Sequence, residues 1–265
     1  MDLESANPTL QETNKDSGPA DPAPPSLPAL PAAQQTPLSV RRLELLLLLG
    51  VAIGPPLLNA FFAYFLFGTA PRSPSYISFR LSAAIVQEAG SLALLSYILF
   101  RQGRTLRDIG LSFRWLDIPV SVGLFLLSWF ASGICYVCIN WAYYRATGHY
   151  VQRWDNAAAM LGTHVSIIVV VFLVLNAFFE ELIVRAYVMS EIIAWKNSLL
   201  LAGIFSVGIQ SLYHIYQGVP NMLSIAALFS VYAVYYAKSR RILPIILAHL
   251  YVDLASAAYV FFFHR

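Results

Sequence analysis

Beyond residue 40 the chain alternates long apolar runs with short polar connectors, and the runs are too uniformly apolar to be half-buried helices of a water-facing domain. Seven runs, at 43–68, 79–101, 118–142, 163–188, 199–216, 222–237 and 242–263, approach or exceed the roughly 18 to 20 residues that cross a bilayer as helix. The pattern predicts an all-α fold, a polytopic transmembrane helix bundle of seven or eight spans. The uncertainty of one comes from Gly54, Pro55 and Pro56, which must kink the first run and can split it into two half-helices. No internal repeat is visible.

Residues 1–38 have a different pattern. Pro22, Pro24, Pro25, Pro28 and Pro31 cluster there with five acids against one lysine, and bulky apolar residues are scarce. Such a segment cannot offset its ordering entropy, so a disordered Pro/Ala-rich acidic tail is expected over 1–38 and a membrane domain over 39–265. The tail is too long and too acidic for the basic start of a secretory signal peptide, so no cleavage is expected.

Composition supports lipid as the main solvent: 58% of residues are hydrophobic and 12% charged. The net charge of +3 comes from arginines at the ends of the runs, where headgroups attract them, and gives no argument for nucleic-acid binding. Lys and Arg in alternate loops number ten (Arg41, Arg42, Arg101, Arg104, Arg107, Arg114, Lys196, Lys238, Arg240, Arg241) against five (Arg72, Arg80, Arg145, Arg153, Arg265). The positive-inside rule therefore puts the N-terminus in the cytoplasm. Cys135 and Cys138 form a CxxC inside an apolar run, where packing is the expected role.

Ionisable groups inside the runs cost roughly 2.5 to 3.5 kcal/mol each, so they need a reason to be there. Glu180 and Glu181 follow the apolar stretch Val165 to Phe179, and Arg185 lies one turn beyond Glu181 on the same face, so those two are expected to pair. Glu180 points about 100° away and is expected to lack that partner and face a cavity as a general base. His214 ends the fifth run between Tyr213 and Tyr216, while His249 and Asp253 share a face of the last one. There the aspartate can orient the imidazole, or both can bind a metal. Six such groups are far less costly if they converge on one wet chamber.

The stretch FEELIVRAY, Phe179 to Tyr187, resembles the EExxxR motif of the CPBP intramembrane proteases, the Abi family of type II CAAX prenyl endopeptidases and bacteriocin-processing or self-immunity proteins. His214 falls where that family has its FxxxH motif, and His249 with Asp253 resembles its HxxxN or HxxxD motif, so the resemblance covers about 163–262. Three departures stand out: Gln210 replaces the Phe, Ala186 replaces a Gly after the arginine, and Asp253 replaces the Asn of the CAAX endopeptidases. The first two are expected to touch packing and pocket shape. An ionised Asp253 cannot donate to an oxyanion as an amide can.

The resemblance implies an intramembrane endopeptidase in which Glu180 and His214 activate a water, while His249 and Asp253 stabilise the oxyanion or protonate the leaving amine. Glu181 and Arg185 would support the helix. A divalent metal such as zinc on Glu180, His214, His249 and Asp253 stays open, although the chain has no HExxH-like ligand pair. The implied partners are membrane lipid and a membrane-associated peptide or protein, prenylated or not. Two other classes stay open: a non-catalytic peptide-binding, immunity or scaffold protein of the same fold, and, less favoured, a proton-coupled transporter. Glu88, beside Gln87 in the second run, lies outside the three motifs, and His149, His164 and His264 are expected to be solvated. One mismatch remains at this level: Glu180 falls near the cytoplasmic end of its run and His214 near the opposite end of the next.

Overall fold

Two consecutive prolines shape the first helix. In the computed structural model, which describes residues 36–67, 73–150 and 166–263, α1 (Leu38–Ala52) stops where Pro55 and Pro56 can offer no N–H to Val51 and Ala52 four residues back. The chain resumes as α2 (Gly54–Phe62), bent by 42° and followed by a π-helical turn over Ala63–Phe67. The amide of Gln87, on the neighbouring α3 (Pro74–Arg101), donates to Val51 O at 3.3 Å and to Ala52 O at 2.9 Å, supplying the two donors the prolines lack. Gln87→Leu is expected to lower stability by about 1 to 3 kcal/mol, read from thermal unfolding of the purified protein in micelles.

Next come α4 (Asp117–Thr147), α5 (Ile167–Glu180), a π-helical segment Glu181–Tyr187, α6 (Val188–Lys196), α7 (Leu199–Leu212), α8 (Val219–Ser239) and α9 (Leu243–Phe263). All regular structure among the described residues is helical. The expected tail lies outside them except for residues 36–38, as do His164 and His264.

Among the described residues, five helices are long and apolar enough to cross a membrane, Ser75–Arg101, Asp117–Thr147, Ile167–Lys196, Val219–Ser239 and Leu243–Phe262, and the bent α1–α2 pair makes six if it is one span. The expected count of seven or eight is not confirmed, and α7 is the main reason. That run forms a helix of only 14 residues, about 21 Å long against a hydrocarbon core of about 30 Å.

The α5–π–α6 helix runs through the middle. Every residue from Phe179 to Met189 is buried, and α3, α7, α8 and α9 pack around it. By contrast α4 packs on α8 and α9 and presents Leu126, Leu127, Phe130 and Val137 outward, as a lipid-facing helix does. At one end of the bundle Glu191 accepts from Arg41 through Nε (3.0 Å) and Nη2 (2.8 Å) and from Arg104 Nη1 (2.7 Å). Arg101 pairs with Glu44 and Arg241 with Asp117 there. Gly110, with φ of +96°, lies so close to Arg240 O that a Cβ would collide with it, and its carbonyl accepts from Ile242 N at 3.2 Å. The loops of the arginine-rich set thus meet at one end.

Candidate active site

Glu180 and Glu181 sit where the central helix widens into its π segment, a local distortion that recurs at functional sites. Both are buried, with exposures of 4% and 0%. Glu181 pairs with Arg185 as the spacing predicts, Oε2 to Nε at 3.4 Å. Arg185 is also fully buried, and its remaining nitrogens donate to Ser206 Oγ (2.7 Å) and Gln210 Oε1 (2.5 Å) on α7.

Gln210, the residue standing in place of the family's Phe, is a hub. With its oxygen on Arg185, its Nε2 donates to Glu180 Oε2 at 2.9 Å and to Glu181 Oε1 at 3.0 Å. Glu180 has no ion pair with Arg185 among the described residues, but it does have a neutral partner in the Gln210 amide. One neutral amide ties both carboxylates and the guanidinium into a single network and neutralises none of them.

His249, 4% exposed, completes the cluster from α9. Its Nδ1 lies 2.9 Å from Glu181 Oε1, so facing a carboxylate it carries the proton and donates. Glu181, itself fixed by Arg185, thus orients the imidazole. Asp253, expected in that role, has Oδ1 3.8 Å from Nε2, outside hydrogen-bond range. Nε2 is also 3.8 Å from Glu180 Oε2. His214, just past the end of α7, is half-buried and held by its Nδ1, 2.8 Å from Gln210 O. Its ring packs on Phe229 at 5.7 Å between centroids, and Phe229 meets the His249 ring at the same distance on another side. Arg185 also lies over the Phe229 ring, 5.7 Å from its centroid.

The depth mismatch between Glu180 and His214 disappears in this geometry. The central helix continues to Lys196, eight residues past its expected end, while α7 is short. Measured from the tight turn that joins them, Glu180 and His214 stand at nearly the same level. Gly218, at φ of +86°, then turns the chain back into α8 within the bundle.

Glu180, Glu181 and His249 can each offer one ligand atom within 4.8 Å of the others, a different set from Glu180, His214, His249 and Asp253. Its donor chemistry fits a cation poorly. Glu181 already accepts from His249, Gln210 and Arg185, and a metal bound there would displace them and sit beside a buried guanidinium. Asn176, Ser206 and Gln210 are the polar contacts that sequence reasoning did not assign, because neutral side chains in an apolar run carry little signal.

A protein-family model described as type II CAAX prenyl endopeptidase Rce1-like matches residues 162–255. No curated protein and no solved structure matches the chain.

Proposed function

Because residues 162–255 match the Rce1-like type II CAAX prenyl endopeptidase model, we propose that the cluster around Glu180 hydrolyses a peptide bond of a membrane-associated substrate. The observation that carries this reading is the 3.8 Å separation of Glu180 Oε2 from His249 Nε2, with both groups held from behind. A water about 2.8 Å from each fits that separation. Glu180 takes a proton from this water as its oxygen bonds to the scissile carbonyl carbon. The charge that develops on the carbonyl oxygen is met by Nε2–H of His249 as imidazolium, the form that Glu180, Glu181 and Asp253 around it favour and whose Nδ1–H Glu181 holds. As the C–N bond breaks, the proton on Glu180 passes to the leaving amine, and the carboxylate is regenerated. Asp253 lines the His249 side and Arg185 acts through Glu181.

The family description favours a C-terminal CAAX tail carrying a prenyl group as substrate. The engaged oxygens of Glu181 favour a metal-free water attack.

The test uses the purified full chain in micelles and a farnesylated CAAX peptide with a fluorescent reporter. Cleavage is expected, and His249→Gln should lower kcat roughly 100-fold by removing the oriented imidazole. Treatment with EDTA or phenanthroline should leave the rate unchanged. A wild-type chain that releases no product would overturn the peptidase reading, and a rate lost on chelation and restored by zinc would overturn the metal-free one.

A further inference from the structure

Glu88 belongs to none of the three motifs, yet it is a carboxyl at 4% exposure in the membrane-spanning part of α3, where its insertion is costly. Its neighbour is Asn176, on α5 one turn before Glu180. With its amide nitrogen turned toward the carboxyls, the orientation in which both ends of the amide find partners, Asn176 donates to Glu88 Oε1 and to Glu180 Oε1, each at 3.2 Å. Glu180 is then held from two sides. Gln210 fixes Oε2 and Asn176 fixes Oε1.

An amide can turn over, and the turned form of Asn176 would set its carbonyl oxygen against the Glu180 carboxylate. Glu88 prevents this, because a second acceptor on the same side makes the nitrogen-inward form the favoured one. We propose that Glu88 is a positioning residue for Glu180, acting through Asn176. The α3 helix thereby contributes to a site whose motifs all lie on later helices. Oε2 of Glu88 is buried with no hydrogen-bond partner among the described residues, so its tie to the site is the contact of Oε1 with Asn176. A residue kept only for stability would be better replaced by an apolar one of similar size.

This inference rests on the peptidase reading, and the test separates the two. With the full chain and the farnesylated CAAX peptide, Glu88→Leu should lower kcat about tenfold with KM within about twofold, through a loosened Glu180. Its thermal unfolding temperature should be unchanged or raised. Glu88→Gln, whose amide oxygen can still accept from Asn176, should keep kcat within about threefold of wild type. Asn176→Leu should repeat the loss, and Glu88→Leu added to it should cost no more than about twofold further. An unchanged kcat in Glu88→Leu, a loss confined to KM, or a full second loss in the double variant would overturn the proposal while wild-type cleavage stands. Absence of wild-type cleavage overturns both. If Glu88→Leu does not fold, Asn176→Leu decides alone, and wild-type kcat in it is the contrary result.

Discussion

Replacing Glu180 by glutamine is expected to lower kcat by roughly 100- to 10,000-fold with the protein still folded. The amide has nearly the shape of the carboxylate, and its oxygen can still accept from Gln210 Nε2, as Glu180 Oε2 does at 2.9 Å. It cannot take a proton from water, so the loss should appear in kcat with little change in KM. Cleavage of the farnesylated CAAX peptide by matched, monodisperse preparations measures it. A Glu180→Gln protein as active as wild type would assign the water to another base. A folded variant that binds the peptide and does not cut it, beside an active wild type, would separate hydrolysis from mere binding.

The largest effect on stability is expected from Arg185→Met. Arg185 is fully buried, pairs with Glu181 and donates to Ser206 and Gln210. A methionine fills similar volume but leaves Glu181 as a buried charge without its cation and frees Gln210 to turn. Breaking one side of a buried pair costs about 3 to 5 kcal/mol, enough to unfold a marginal membrane protein at working temperature. Pairing the change with Glu181→Gln removes the orphaned charge and should recover part of the unfolding temperature, though not the activity, since His249 loses the carboxylate that orients it. Thermal unfolding of the two variants in micelles checks the sign. If the double variant is no more stable than Arg185→Met, the ion pair does not account for the loss.

The charged members of the site were legible from sequence because Glu180, Glu181, Arg185, His249 and Asp253 interrupt apolar runs, where each carries a visible energetic penalty. The pairing of Glu181 with Arg185 followed from helical spacing alone. Other features depended on tertiary context. Gln210 read as a change in packing and proved to join both carboxylates to the guanidinium, since an amide can donate and accept at once. Glu191 lies beyond the expected end of its span, where an acid carries no penalty, but the helix continues past it and Glu191 meets Arg41 and Arg104. The break at Gly54–Pro56 was legible because proline acts locally, whereas Gln87, which repairs it, is brought in by a different helix. The run at 199–216 has the length of a span, but composition does not show where packing ends a helix, and the helix there covers only Leu199–Leu212.

The shortness of α7 bears on how water reaches a reaction buried among apolar helices. Leu200, Leu201, Ile204, Phe205 and Leu212 on this helix face outward, so its lipid-facing side ends about 9 Å short of an average hydrocarbon thickness. Acyl chains cannot follow that step without strain. A leaflet that thins to match α7 would bring headgroups and their hydration toward the level of the carboxylates. Turnover should therefore respond to the acyl length of the host vesicle, with short-chain lipids making up the step that a thick membrane leaves open.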